Sequence, residues 1–118
     1  MADEQARVSV KNSGGVNIVE FADRKILEEL SIAEIGDELS RVVAGMNEVK
    51  MLLSFKNVEH LSSAALGMLI TLNKHVAEKK GQLKLSDITP QIYEVFKITR
   101  LNKLFKIYGT AREAMADF

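Results

Sequence analysis

The sequence predicts a single α/β domain whose mostly parallel or mixed sheet has four to five strands, with an N-terminal β-hairpin and four helices. Short runs with apolar residues at alternate positions are typical of strands, and longer runs with apolar residues three and four apart are typical of helices. The two kinds of run alternate along the chain. Such alternation of strands and helices implies right-handed crossovers between parallel strands. The length of 118 residues suits one core. We therefore expect residues 1–118 to form one domain, with its core at residues 15–116.

Short β-prone runs supply the predicted strands. Residues 7–11 and 16–21 alternate, and the Asn-Ser-Gly-Gly sequence between them is typical of a hairpin turn. Three further runs of strand length lie at residues 49–55, 82–86 and 104–108. The first of these is nearly continuously apolar, which favours a central strand covered on both faces.

The first two predicted helices carry recognisable start and stop signals. Ser31 is the expected N-cap of the first, with Glu34 three residues later as in a capping box, and the helix should end near residues 45–47. The second should cover residues 62–80 and close on Gly81 as a C-cap. Its apolar residues cover more than one stripe, so we expect it to lie deeply against the sheet.

The last two predicted helices are shorter. Pro90 suits the first turn of a helix at residues 90–99. Its predicted inner face consists of Ile92, Val95, Phe96 and Ile98. Thr110 is the expected N-cap of a terminal helix that contains Ala111, Ala114 and Met115.

Composition narrows the classes of function. Lys and Arg number 16 against 16 Asp and Glu, so no cationic surplus favours nucleic acid as a partner. There is no cysteine, and His60 and His75 are the only imidazoles, so we expect no metal and no cofactor. The apolar run at residues 64–72 is too short to span a bilayer, and the N-terminus lacks a signal-peptide core. A cytoplasmic location without a membrane partner is the expectation.

No catalytic constellation stands out. A Ser–His–acid triad would have to combine Ser62 or Ser63 with His60 or His75, and the Gly-x-Ser-x-Gly elbow is absent. Phosphate-loop and dinucleotide-binding glycine motifs are also absent. We therefore expect a protein that is not an enzyme.

The start of the second predicted helix is the strongest candidate for a functional site. Ser62 and Ser63 lie between the loop at residues 57–61, which follows the predicted buried strand, and the second helix. In parallel α/β sheets, sites gather at this carboxyl end of the strands. The structural interpretation is a helix N-cap, since serine is favoured there. The functional interpretation is a hydroxyl displayed for phosphorylation, where backbone N–H groups favour the phosphate. Both hold if one serine caps and the other is displayed.

Three segments resemble the STAS domain, the family of anti-sigma factor antagonists and sulfate transporter tails. Residues 58–67, Val-Glu-His-Leu-Ser-Ser-Ala-Ala-Leu-Gly, match the family's Val-x-x-Φ-Asp-Ser-Ser/Thr-Gly-Leu-Gly without a gap, Φ being apolar. Residues 80–85 resemble its Gly-Gly-x-Leu-x-Leu strand, and residues 98–108 resemble its Leu-Thr-Gly-Leu-x-x-Leu-Phe-x-Ile-Tyr segment. The likeness extends over about residues 15–114.

The chain departs from this pattern at the position that matters most. On the gapless frame Ser62 falls on the family's Asp and Ser63 on its first Ser, while Ala64 takes the place of the phosphorylated Ser or Thr and Ala65 that of the following Gly. A hydroxyl is therefore missing at the family's phosphorylation position. Two alternatives stay open: Ser63, with Ser62 as second choice, is the acceptor, or the switch is lost at Ala64.

The resemblance implies a regulatory binding module. It would dock onto a cytoplasmic anti-sigma factor, typically a serine-protein kinase, and so control sigma-factor-dependent transcription, with a phosphatase as a further partner. The partner-binding candidates are His60, Leu61, Ser62, Ser63, Ala64, Ala65 and Gly67. The alternative is a STAS scaffold or accessory subunit of a signalling or lipid-transport complex that has no switch. In either case we expect a monomer or weak dimer.

Overall fold

The computed structural model describes residues 8–22, 24–26 and 28–118, and within them it is a mixed α/β fold. The strands are β1 (Val8–Ser13), β2 (Val16–Phe21), β3 (Lys25–Ile26), β4 (Lys50–Ser54), β5 (His60–Leu61), β6 (Gln82–Ser86) and β7 (Lys106–Tyr108). The helices are α1 (Glu29–Ala44), α2 (Ser63–Glu78), α3 (Pro90–Ile98), α4 (Leu101–Leu104) and α5 (Ala111–Ala116). The predicted fold class is confirmed. Residue 7, the predicted start of the first strand, lies outside the described residues.

Five of these strands form the main sheet, in the order β1-β2-β4-β6-β7. β1 and β2 are an antiparallel hairpin, and all other neighbours are parallel, as the crossovers require. The hairpin turn consists of Gly14 (φ 57°) and Gly15 (φ 87°). Two successive positive φ angles are those of a two-residue type I′ turn, which glycine adopts without strain.

The central strand β4 is covered on both faces, as its continuous apolar sequence predicts. Met51 and Leu53 belong to the large core that α1 and α2 close on one face of the sheet. Leu52 points the other way and packs with Val16 and with Ala114 of α5. Successive side chains of a strand alternate between its faces, so one buried strand joins two separate apolar clusters.

Helix α1 begins earlier than predicted. Its N-cap is Glu28 rather than Ser31, and no side chain caps it. The backbone N–H of Ile32 already donates to the Glu28 carbonyl at 3.0 Å, so Ser31 lies inside the first turn and is buried. The predicted capping box with Glu34 is therefore wrong. Glu29 in the first turn instead complements the positive end of the helix dipole.

The end of α2 also differs from the prediction. The helix stops at Glu78, Lys79 is its C-cap, and Lys80 takes the left-handed backbone at φ 55° that the sequence assigned to Gly81. Gly81 is needed for another reason, because a Cβ there would lie 2.5 Å from Val49 Cβ. Contact with Val49, the residue directly before β4, rather than the helix cap, requires a glycine at this position.

The segment after β6 contains a helix that the sequence pattern did not predict. The last strand begins at Lys106, and the single turn α4 occupies the start of the predicted strand at residues 104–108. In α3 only Ile92 and Phe96, four residues apart, are buried. Val95 and Ile98, assigned to the inner face, are 39% and 80% exposed because this short helix buries one narrow stripe.

Candidate functional site

The junction before α2 is fixed by a second, two-stranded parallel sheet. His60 pairs with Lys25, and Leu61 with Ile26, so the predicted loop at residues 57–61 ends in a strand. The N–H of Ser62 then donates to the Ile26 carbonyl at 3.0 Å. This small sheet ties the start of α2 to the segment before α1. Both helices therefore begin at the same end of the molecule.

Of the two serines, Ser62 is the N-cap of α2. Its backbone is extended, with φ −87° and ψ 168°, and its Oγ accepts a hydrogen bond from the N–H of Ala65 at 3.2 Å. The hydroxyl satisfies one of the free N–H groups of the first helical turn. Ser62 is half-buried and its oxygen is engaged, so its geometry is that of a structural residue.

The next residues divide between the surface and the core. Ser63 and Ala64 are exposed at the first two helical positions, whereas Ala65 is completely buried. Successive residues on a helix are separated by about 100° around its axis, so Ser63 and Ala64 face different directions. The structure therefore displays both the Ser63 hydroxyl and Ala64, but on different sides of α2.

Ala64 lies on a groove between α1 and α2, with a volume of about 400 Å³. Its lining residues are Ile32, Ala33, Gly36, Asp37, Ser40, Ala64, Gly67, Met68, Thr71, Leu72 and His75. Both helices have small residues three positions apart in this lining, and these leave space between the helices. They are Ala33 and Gly36 of α1 and Ala64 and Gly67 of α2. At Gly36 a Cβ would lie 3.1 Å from Met68 Cγ, so the two helices approach closely there.

The α1 side of this groove was missed by sequence reasoning. Asp37 supplies the acidic side chain of the lining and Gly36 the close approach to α2. The available signal was the pair Ala33 and Gly36, two small residues three positions apart in a helix that is otherwise rich in large side chains. Small residues at that spacing mark a side of a helix where another backbone or a ligand can come close.

The exposed side of α2 is uncharged over its first two and a half turns. Ser63, Ala64, Gly67, Ile70 and Thr71 are all exposed, and Lys74 is the first charged residue of the helix. Gly67 is not required by packing, because a Cβ there would meet nothing within 4 Å. Glycine inside a helix costs about 0.5–1 kcal/mol relative to alanine. The fold thus carries a small, uncharged surface that it does not need for its own packing.

The other predicted binding residues are placed differently. His60 is exposed on β5, next to the start of α2, while Leu61 is half-buried and packs against the core. His75 lies at the far end of the groove, where its Nδ1 is 3.4 Å from the Ser40 hydroxyl. The structure therefore places His75 beside a serine of α1 rather than beside Ser62 or Ser63.

Comparison with known proteins agrees with this geometry. The STAS domain family matches residues 9–114, and the chain belongs to that family. A STAS-domain-containing protein of Pseudomonas aeruginosa is 31% identical over 58 residues, which are 49% of this chain and 57% of that protein. An anti-sigma F factor antagonist of Paenibacillus polymyxa is 25% identical over 67 residues, 57% of each chain. The chain thus spans a little over half the length of these curated relatives.

A solved structure extends the likeness to the whole fold. It is that of an anti-sigma-factor antagonist (STAS) domain protein from Planctomyces limnophilus, with a TM-score of 0.87 and 22% sequence identity. The match covers 95% of this chain and 97% of that one. The chain is therefore a STAS domain, and its fold matches that structure over nearly its whole length.

Proposed function

We propose that this STAS domain is a regulatory binding module that docks onto a cytoplasmic anti-sigma factor of the serine-protein kinase class and thereby controls sigma-factor-dependent transcription. The observation that carries the proposal is Gly67, a glycine inside α2 whose missing side chain leaves open space. A partner backbone or side chain can approach α2 closely at that position. The module does no chemistry itself, and any phosphoryl transfer belongs to its partner.

The docking face consists of the α2 surface from Ser63 to Thr71 and the adjoining groove. It is uncharged along α2, with 37% of Ile70 exposed, so a partner can cover it without stripping water from an ion. Asp37 supplies one carboxylate at the α1 rim of the groove. A complementary partner presents an apolar or small surface to α2 and a cation toward Asp37.

Ser63 is the proposed phosphate acceptor. It is exposed at the first position of α2, and the first turn of that helix has no acidic residue to repel a phosphate. A phosphate there would also gain from the helix N-terminus. It would add nearly two negative charges beside an uncharged docking face, which weakens docking where the partner offers no cation. A phosphatase that removes it would restore binding.

The alternative is a STAS scaffold or accessory subunit without a phosphate switch. Ala64 favours it, because Ala64 lines the groove at the family's phosphorylation position and has no hydroxyl. Ser63, one residue earlier, faces another side of the helix. In that alternative the same face contacts its partner permanently, and no kinase acts on it.

Partner capture with matched variants tests the docking face. Gly67→Glu places a charged side chain on the face, whereas Ala77→Glu places one at an exposed position near the end of the same helix. We expect an ATP-binding serine kinase in the wild-type and Ala77→Glu captures and its loss with Gly67→Glu. A membrane transporter subunit in its place supports the scaffold alternative. Equal capture by both variants contradicts the docking face.

Phosphorylation by the captured kinase tests the switch. Labelling of wild-type protein that Ser63→Ala abolishes and Ser62→Ala retains identifies Ser63 as the acceptor. Ser63→Asp should then weaken partner binding by about 1–3 kcal/mol, the cost of an unmatched charge in an interface. Absence of a phosphopeptide covering both serines, with labelling gained in Ala64→Ser, shows instead that the switch was lost at Ala64.

A further inference from the structure

Cations are concentrated at one end of this molecule although its formal net charge is +0. From the end of α3 to the start of β7, every third residue is basic, and between residues 95 and 112 there is no Asp or Glu. We call these residues the basic stripe: Lys97, Arg100, Lys103 and Lys106, all of them exposed. Two backbone hydrogen bonds of 3.1 Å, from Arg100 to Lys97 and from Lys103 to Arg100, hold the first three in succession.

Arg100 has a left-handed backbone conformation, which is strained for a residue with a side chain. Its φ is 63°, in the left-handed region that glycine adopts without strain. The STAS pattern that residues 98–108 resemble has glycine at this position. Lys80, with φ 55°, likewise stands where the related Gly-Gly-x-Leu-x-Leu pattern has its first glycine. The chain thus keeps two cations where glycine would relieve backbone strain, and such strain is concentrated at functional sites.

Apolar side chains are exposed between these cations. Ile98 is 80% exposed, more than any other large hydrophobic residue of the described chain, and Leu104 is 48% exposed. Leu104 and Lys106 line a cavity of about 260 Å³ together with Gly81 and Gln82. Lys80 directly precedes Gly81, one of the residues that line this cavity. Ile98 and Leu104 thus alternate along the chain with the cations of the basic stripe, and both are exposed.

This surface and the Ser63 face lie at opposite ends of the molecule. β4, β6 and β7 are parallel, and the stripe reaches the amino ends of β6 and β7 at Gln82 and Lys106. Ser63 follows the carboxyl end of β4. Lys79, the residue before Lys80, is not counted among the available cations. Its ammonium donates to the main-chain carbonyls of Val43, Ala44 and Met46 at the end of α1.

We propose that the basic stripe is a second docking surface, which binds an acidic protein segment whose carboxylates alternate with apolar side chains. The carboxylates complement Arg100 and Lys103 first, because Lys97 already pairs with Glu94 at 3.1 Å and Lys106 already interacts with the Asp117 carboxylate. The apolar residues cover Ile98 and Leu104. A broad anionic surface fits less well than a short segment, because it would also face Glu94, which lies 3.1 Å from Lys97. A nucleic acid also fits less well, since the chain has no surplus of cations, with 16 Lys and Arg against 16 Asp and Glu.

The test uses the full chain and a synthetic peptide that repeats Glu-Glu-Leu. The informative variants are Arg100→Gly and Lys103→Gln, and the matched control is Lys74→Gln, which removes an exposed helical lysine outside the stripe. We expect salt-dependent binding that the two stripe variants together weaken at least about tenfold and that the control changes less than about twofold. Arg100→Gly should also raise the melting temperature, because it relieves the strain at φ 63°. A variant that had merely misfolded would lower it.

Three results would overturn the proposal. The first is no measurable peptide binding by the wild-type chain. The second is equal weakening by Lys74→Gln, which would make the binding a general effect of charge. The third is tighter binding of vesicles with anionic lipids, or of a DNA duplex, than of the peptide, when each is measured at the same salt concentration. That outcome would assign the stripe to a membrane surface or a nucleic acid.

Discussion

The ammonium group of Lys84 donates to the main-chain carbonyl of Asp117 and lies 3.6 Å from the carboxylate of the same residue. Lys84 is 2% exposed, and its ammonium also lies 4.3 Å from the ring centroid of Phe118 and 5.6 Å from that of Tyr108. The Tyr108 hydroxyl donates to the Asp117 carboxylate. A cation buried on the second face of the sheet is thus satisfied by the residues that end α5, and this contact holds the helix against the sheet.

Asp117 should make the stability of this contact depend on acid. The hydrogen bond from Tyr108, together with the nearby charge of Lys84, lowers the pKa of Asp117 below its ordinary 3.8. A carboxylate with a lowered pKa stabilises the folded state above the unfolded pKa, and this contribution is lost as pH falls through the folded pKa. Unfolding free energies should therefore be higher for wild type than for Asp117→Asn at pH 7, and the difference should shrink as pH falls below 3.8 and vanish below the lowered pKa of the folded state. A difference that persists unchanged in acid contradicts this role.

Tyr108 should make the stability of the same contact depend on alkaline pH. Its hydrogen bond to Asp117 and its partial burial raise the pKa of Tyr108 above the ordinary 10.0. A tyrosine with a raised pKa contributes its stabilisation below the unfolded pKa and loses it as pH rises through the folded value. Titration of the phenol absorbance should therefore give a higher pKa for Tyr108 in wild type than in Asp117→Asn. The same pKa in both proteins contradicts the hydrogen bond.

Much of the fold could be predicted because local sequence alone determines it. The hairpin turn needs positive φ at two residues and has two glycines there, so β2 begins where the sequence predicts. The strand β6 and the caps Ser62 and Thr110 likewise follow from short-range patterns. The start of α1 could not be predicted from Ser31, because core contacts rather than a capping side chain fix the first turn.

The sequence predicted one part of the candidate site, the start of α2, but not the groove between α1 and α2. The junction at Ser62 and Ser63 carries a short-range signal, namely a helix cap after a buried strand. The groove beside Ala64 needs α1, whose Gly36 and Asp37 are more than twenty residues away in sequence. Alternation likewise places Lys84 on the face opposite Leu83 and Leu85, but only the packing of α5 buries it. Contacts between distant segments decide these features.

Leu69 is a test of how α2 packs against the sheet. The side chain is 1% exposed within the main core, so Leu69→Ala should lower the free energy of unfolding by about 2–5 kcal/mol. The neighbouring Ile70 is 37% exposed, and Ile70→Ala should lower it by less than about 1 kcal/mol. Denaturant titration measures both. A loss below about 0.5 kcal/mol for Leu69→Ala would show that this residue is not part of the core.

Replacing each of the two serines at the start of α2 should have different effects on the free energy of unfolding. Ser62→Ala removes the oxygen that accepts from the Ala65 N–H, so it should lower the free energy of unfolding by about 0.5–2 kcal/mol. Ser63 is exposed and is not the cap, so Ser63→Ala should change stability by no more than about 0.5 kcal/mol. Thermal and denaturant unfolding of both variants at neutral pH gives the comparison. Equal losses would mean that the helix has no single cap.

The last prediction concerns the close contact between Gly81 and Val49. A Cβ at Gly81 would lie 2.5 Å from Val49 Cβ and 2.8 Å from its carbonyl oxygen, and backbone cannot move aside as a side chain does. Gly81→Ala should therefore lower the free energy of unfolding by about 1–3 kcal/mol, the usual cost of overpacking. Gly45→Ala is the matched control, because its Cβ would meet only an ordinary contact of 3.5 Å and its φ is −84°. The control should be neutral or stabilising by up to about 1 kcal/mol. Similar values for the two variants would show that the segment before β6 shifts to accept a side chain, and that the contact with Val49 does not require glycine at position 81.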